Sequence, residues 1–259
     1  MPLSKQQKDE IKKYLYEKTK NKLLSYDRET SVMPFHVRLF GGDRMATYSF
    51  IQSCNTMLGQ SIFEQIGEII AKPNFEIAKA QYGGFEGNIS DKAILTIEHI
   101  MKDLRTAKRE ANKKEEIKEI LAQPKNGKMI SSRVDLFLKD KKGREYYLEL
   151  KTAKPNISEF TSVKKKLLEW IAMAGKDVST LVCIPYNPYH PEPYERWTLK
   201  GLFDLNEEIL IGQEFWNFLG GKGTFEELLK IFEEVGKELY PEIESKIKDF
   251  ANTTKEKST

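Results

Sequence analysis

The sequence is poor in the residues that build metal cages, disulfide frameworks and membrane spans. Its 259 residues include only 2 cysteines and 3 histidines, and Cys54 and Cys183 have no metal-ligand spacing. No apolar run approaches the roughly 18–20 residues of a membrane span, and the charged start MPLSKQQKDEIKKYL does not resemble a secretory signal. Charge is nearly balanced, with 42 Lys and Arg against 39 Asp and Glu. These absences predict a cytosolic globular protein without chemistry built on clustered histidines.

The remaining composition supports a folded core, because hydrophobic residues make up 39% of the chain. No linker or repeat divides it, so we predict a single domain over 1–259, with a core at about 44–200 and helical additions at 1–30 and 203–250. Helices flanking a few central strands predict an α/β (α+β) class with a mixed sheet. The predicted helices are 3–25, 44–72, 91–122 with Asp91 as N-cap, 158–174 and 224–250, and the predicted strands are 75–82, 132–138, 145–151 and 178–184.

The most informative segment is a predicted β-hairpin, SSRVDLFLKDKKGREYYLELKTAKP. Its polar, glycine-containing turn at 139–143 separates two strands whose side chains alternate between faces. Burying the apolar side chains of both strands together places Leu138 opposite Tyr146. The same register places Asp135 opposite Glu149.

Asp135, Glu149 and Lys151 would then share one patch at the end of the hairpin. Directly opposed residues have Cβ atoms about 4.5–5.5 Å apart, and two carboxylates that close repel each other unless a proton or a cation lies between them. A hard divalent cation is the natural solution, and Lys151 could then position or activate a water molecule or offset charge on a phosphate. The alternative is an exposed cross-strand ladder of salt bridges, and the spacing alone does not decide between the two.

The pattern Asp135–x13–Glu149-Leu150-Lys151 resembles the PD-(D/E)xK nuclease motif, with Val134-Asp135 in place of its first pair. The predicted order of helices and strands also resembles the restriction-endonuclease-like core of that superfamily. Further stretches resemble the TdeIII-type type II restriction endonucleases, over most of residues 30–235. These stretches are FHVRLFGGDRMATYSFIQSCNTMLGQSIFEQIGEIIA, IPYNPYHPEPYERWT and GQEFWNFLGG.

The resemblance implies Mg²⁺-dependent cleavage of double-stranded DNA at a short palindromic site of the GGNCC type, leaving 5′-phosphate and 3′-hydroxyl ends. Lys151 matches the motif lysine, and the extra acid of the preceding helix would be Glu64 or, one turn later, Glu68. A homodimer follows from the symmetry of a palindromic target, and a cognate DNA methyltransferase in a prokaryotic cytoplasm is the implied genetic partner. The implied metal ligands are Asp135, Glu149, the carbonyl of Leu150 and Glu64.

Candidate DNA contacts are predicted from residue type and position, since Arg, Lys, Asn and Gln bind base edges and phosphates. The loop 186–197 could instead pack its prolines and aromatics onto the core. The run Lys164–Lys166 could bind phosphates or form a solvated face. The candidates are Arg38, Arg44, Gln52, Arg133, Lys154, Asn187 and Arg196.

Two other functions fit the same residues. A structure-selective nuclease of DNA repair or recombination would keep the acidic pair and the lysine. A non-catalytic DNA-binding module on this fold would bind DNA without cutting it, although the complete set of Asp135, Glu149 and Lys151 argues against lost activity.

Overall fold

The computed structural model describes residues 3–26, 33–152, 154–195 and 201–256, without the side chains of Gln60 and of 250–256. Residue contacts group the chain into two compact units. Of the described residues, 3–62 and 226–256 form the first unit and 63–225 form the second. The single domain expected from the sequence stays a prediction.

Helices and strands follow one another along the chain as follows. The helices are α1 (Lys5–Ser25), α2 (Pro34–Phe40), α3 (Gly42–Met57), α4 (Phe63–Ala71), α5 (Asp91–Arg105), α6 (Lys113–Leu121), α7 (Ile157–Ala174), α8 (Gln213–Gly220) and α9 (Thr224–Glu256), with a π-helical turn at Leu58–Ile62. The strands are β1 (Ile77–Ile89), β2 (Lys128–Lys139), β3 (Glu145–Leu150), β4 (Ser179–Ile184) and β5 (Ile209–Ile211). None of the helices within the described ranges has the length and apolar character to span a membrane.

The first unit is helical. α1 begins with a capping box, in which Ser4 and Gln7 each accept a hydrogen bond from the other's backbone N–H. Lys8 of α1 lies 2.8 Å from Glu227 of α9, so an ion pair joins the two helices within this unit.

The second unit contains one mixed sheet in the order β1-β2-β3-β4-β5. β1, β2 and β3 pair antiparallel, whereas β3, β4 and β5 pair parallel. This sheet with its flanking helices confirms the predicted α/β (α+β) class. Leu138 pairs with Tyr146, so the register predicted for the hairpin is confirmed.

Both faces of the hairpin are covered, which is why its strands are buried rather than half solvated. On one face Tyr147 packs against Phe85 and against Trp170 of α7. On the other face Tyr146 packs against Phe75 and Phe218. The two layers hold the strand ends, and therefore the predicted patch, in a fixed position.

The path of the first strand differs from the prediction. β1 continues past Gly83-Gly84 to Ile89, with a bulge between Tyr82 and Phe85 that absorbs the two glycines. Further along, Gly87 lies so close to α7 that a Cβ atom there would collide with the carbonyl of Met173. A glycine is therefore required where the helix crosses this strand.

The prediction of one continuous helix over 91–122 is wrong. This segment is divided into α5 and α6 by a break at 106–112, where Ala107 has a positive φ of 53°. Ser90, rather than Asp91, is the N-cap of α5, and Asn112 caps α6. The three-residue strand β5 and the short helix α2, which begins at Pro34, were not predicted.

Candidate active site

The carboxylate of Asp135 lies at the point where the hairpin ladder ends. The last backbone pair is Leu136 with Leu148, and one residue further the Oδ2 atom of Asp135 accepts the N–H of Leu150 at 2.9 Å. The side chain thus takes the place of a backbone acceptor and is fixed against β3. Burial raises the pKa of Asp135, and the neighbouring charge of Glu149 raises it further.

Glu149 is almost fully buried, at 4% exposure, and each of its oxygens is bound by a lysine. Nζ of Lys151 lies 2.7 Å from Oε1, and Nζ of Lys166 lies 2.6 Å from Oε2. Burial, the largest single cause, lowers the pKa of Lys151, but the charge and hydrogen bond of Glu149 and the charges of Asp135 and Glu159 together outweigh it, and the net pKa is raised. Lys151 is therefore held as an ammonium ion, which suits charge neutralisation and water positioning better than proton abstraction.

Lys166 belongs to a run of three lysines on α7 whose side chains diverge. Lys164 is fully buried and binds both Glu116, at 2.6 Å, and Glu208, at 2.7 Å. Lys165 is exposed, and Lys166 reaches Glu149. Neither a solvated face nor a phosphate-binding role holds for Lys164, because a buried charge of this kind is retained only with its partners.

Glu64 lies on α4 with 3% of its surface exposed. Arg133 donates to its carboxylate at 3.3 Å. Burial raises the pKa of Glu64 to about 7, with the charge of Asp135 as the second cause. Glu64 is therefore coupled to the acidic pair of the hairpin rather than solvated.

Glu68, the alternative acid one turn later, has structural partners instead. Its Oε2 atom accepts the N–H of Ala80 in β1 at 2.7 Å, and Lys72 lies 2.9 Å from its other oxygen. Of the two glutamates, Glu64 is the one whose charge interacts with Asp135.

The donor set fits a hard divalent cation, because the charge of Asp135 raises the pKa of Glu64 and the charge of Glu149 raises the pKa of Asp135 in a partly buried site. The cage is not preformed: among the described residues, no three His, Cys, Asp or Glu side chains are close enough together to hold a metal ion. Both oxygens of Glu149 already bind lysines. A cation bound there would have to replace at least one ammonium group.

A comparison with models of protein families assigns the chain to a family. The model of the family described as "Type II restriction endonuclease, HinfI" matches residues 3–236. The chain belongs to this family. Membership of the HinfI family implies that the substrate is DNA and that the reaction is DNA cleavage.

Curated relatives agree with this membership. The type II restriction enzyme HgiEI of Herpetosiphon aurantiacus is 26% identical over 234 residues, covering 87% of this chain and 85% of that protein. HgiCII of the same organism is 28% identical, with coverage of 87% and 85%. MjaII of Methanocaldococcus jannaschii is 29% identical, over 85% of this chain and 66% of that protein.

Three of the predicted DNA contacts, Arg38, Arg44 and Gln52, lie on exposed positions of α2 and α3 in the first unit. The guanidinium groups of Arg38 and Arg44 donate to the carbonyls of Pro34 and Phe40, one turn earlier in the chain. These bonds leave the arginines at the surface, and their role as DNA contacts stays a prediction.

Lys154 and Asn187 lie in the second unit. Lys154 is exposed and lies 5.2 Å from the ring centre of Tyr189. Asn187 donates to the carbonyl of Glu192 and accepts the N–H of Tyr189, so both ends of its amide are engaged in its own loop. Arg196 lies outside the described residues.

Sequence reasoning missed Lys166 as a residue of the site. Its neighbours in sequence, Lys164 and Lys165, are chemically identical, and only the packing of α7 on the sheet selects the one that meets Glu149. The available signal was that 158–174 is a helix following the hairpin directly, which places one of its faces over the end of β3.

Proposed function

We propose that this protein is a Mg²⁺-dependent type II restriction endonuclease that cuts both strands of DNA at a short palindromic site. The observation that carries the proposal is the meeting of Asp135 and Glu149 with Lys151 at the end of β3, in a chain of the HinfI family. The same three residues fit the PD-(D/E)xK pattern.

Asp135, Glu149, the carbonyl of Leu150 and Glu64 would hold the metal. When bound, Mg²⁺ lowers the pKa of the attacking water and offsets charge on the phosphate. Lys151 orients the water and neutralises the charge that develops on the phosphate in the transition state. Lys166, released from one oxygen of Glu149, is available for the same electrostatic task.

The finer features of the proposal rest on the resemblance to the TdeIII-type enzymes. They are a recognition site of the GGNCC type, products with 5′-phosphate and 3′-hydroxyl ends, a homodimer matching a palindromic target, and a cognate DNA methyltransferase in a prokaryotic cytoplasm.

The test is incubation of the purified protein with plasmid DNA and Mg²⁺, beside an EDTA control. Discrete fragments that vanish in EDTA support the proposal, and sequencing of their ends gives the site and the cut position. Asp135→Asn and Lys151→Met should abolish cleavage and leave a folded, DNA-binding protein. Asp177→Asn, at an exposed position, is the matched control for Asp135→Asn and should cut normally.

Three results would overturn the proposal. Full cleavage by Asp135→Asn would remove the assigned metal ligand. Cutting restricted to DNA junctions would favour a structure-selective nuclease of repair or recombination. A gel shift without cleavage under any metal condition would favour a non-catalytic DNA-binding module.

A further inference from the structure

A groove runs away from the candidate active site along the exposed side of α7. The hollow beside Glu149 and Lys151 is also lined by Ser158 and Ser162 of α7. Both serines line a second hollow, and Ser162 also lines a groove of about 420 Å³ between α7 and the C-terminal half of α5. The three depressions share lining residues and therefore lie side by side along α7, all within the second unit.

The far part of this groove carries more cations than acids. Lys102 and Arg105 of α5 are exposed, and neither makes an ion pair with any residue in the described part of the chain. Lys165 of α7 has only a loose contact with Glu169, at 3.9 Å. The acid of this lining is Glu98, so three positive charges face one negative charge.

The lining chemistry suits a phosphate backbone rather than bases. No aromatic side chain is among the described lining residues of these depressions, so stacking of unpaired bases has no platform there. Thr161 and Ser162 donate their hydroxyls to carbonyls of α7, so the cations are the groups of this lining that attract an anionic ligand. Lysine and arginine side chains on an open groove are the usual partners of DNA phosphates.

We propose that Lys102, Arg105 and Lys165 bind backbone phosphates of the DNA duplex to one side of the bond that is cut. This inference deepens the proposed function and rests on it, because the groove starts at the candidate active site. It assigns a DNA-binding role to α5, which precedes the hairpin in the chain, and to the middle lysine of the α7 run.

The test compares two triple variants of equal charge change. Lys102→Gln, Arg105→Gln and Lys165→Gln together remove the groove cations. Lys141→Gln, Lys142→Gln and Lys222→Gln remove three exposed lysines elsewhere in the second unit. Affinity for a labelled duplex is measured in EDTA over a series of salt concentrations, and thermal unfolding of each variant is recorded.

The groove variant should bind more weakly and show a shallower salt dependence. The slope of log affinity against log salt should fall by about 0.9 for each phosphate that the variant no longer neutralises, while the control keeps the slope of the unmodified protein. With plasmid and Mg²⁺, the groove variant should show a raised KM and a nearly unchanged kcat. Equal slopes for the groove variant and the control would overturn the inference.

Failure of this inference and failure of the proposed function give different results. If the unmodified protein cuts plasmid but the groove variant keeps its salt slope, only the groove assignment fails. If the slope changes as expected but no condition gives cleavage, the phosphate-binding groove stands and the nuclease proposal fails. A loss of thermal stability confined to the groove variant, with an unchanged slope, would show that the cations stabilise the fold, Lys102 and Arg105 at the C-terminal end of α5, rather than bind phosphates.

Discussion

Lys166 of α7 binds one oxygen of Glu149 at 2.6 Å while Lys151 of the hairpin binds the other at 2.7 Å. One buried carboxylate is thus shared by ammonium groups from two different parts of the fold. Each lysine competes with any cation for the same oxygen pair. Under the proposed function, the apparent affinity of the site for Mg²⁺ would therefore depend on Lys166, a helix residue outside the PD-(D/E)xK pattern.

Lys166→Gln should lower the Mg²⁺ concentration needed for half-maximal cleavage and also lower the maximal rate. The freed oxygen of Glu149 would bind the metal without displacing an ammonium group. The Mg²⁺ concentration should fall by at least about tenfold, because a hydrogen bond to a charged group is worth about 1.5–3 kcal/mol. Titration of cleavage with Mg²⁺ measures both effects. Lys176→Gln is the control, since Lys176 pairs with Glu145 at the other end of β3; an identical titration curve for both variants would contradict the shared-carboxylate arrangement.

Lys164→Met should destabilise the protein by about 3–5 kcal/mol, because it leaves Glu116 and Glu208 buried without their cation. Burial already raises the pKa of Glu208, so its charged form depends on Lys164. Urea unfolding measures the loss. Lys165→Met, at the next and exposed position, should change the free energy of unfolding by less than about 0.5 kcal/mol, and equal losses in the two variants would refute the buried cluster.

Gly87→Ala should destabilise the second unit by about 1–3 kcal/mol or more, because the added methyl group collides with the backbone of Met173 where α7 crosses β1. Gly83→Ala in the same strand is the matched control, since a Cβ there meets nothing within 4 Å. Thermal unfolding compares them. A melting temperature for Gly87→Ala equal to that of Gly83→Ala would show that the crossing has room for a side chain.

The stability of the metal-free protein should fall as the pH rises from about 4.5 to about 7, and part of this fall should disappear in Glu64→Gln. The pKa of Glu64 is raised from 4.5 to about 7 in the folded protein, so between these values the folded state binds more protons than the unfolded state, and stability decreases with pH. Urea unfolding in EDTA across this range provides the test. Parallel pH profiles for the two proteins would show that Glu64 is not held protonated by the fold.

The hairpin and its acidic patch were predictable because the sequence pattern that determines them lies within the hairpin itself. Alternating apolar residues and a polar turn determine the register, and the register brings Asp135 to the side of Glu149. The roles of Lys164 and Lys166 depend on how α7 packs, which no local pattern encodes. The break before α6 had a sequence signal in Asn112 followed by Glu115, but the charged stretch around it contains no glycine or proline and favours one continuous helix.

The lysine run gives α7 an unusual sensitivity to insertions and deletions. Successive residues of an α-helix are turned by about 100°, so one residue inserted before the run would bring Val163 to the buried cluster while a lysine still faced Glu149. One residue deleted there would keep a lysine in the cluster and turn Leu167 toward Glu149. The insertion would leave Glu116 and Glu208 without their buried cation, and the deletion would leave Glu149 without its contact from α7. Neither change removes a lysine from the chain.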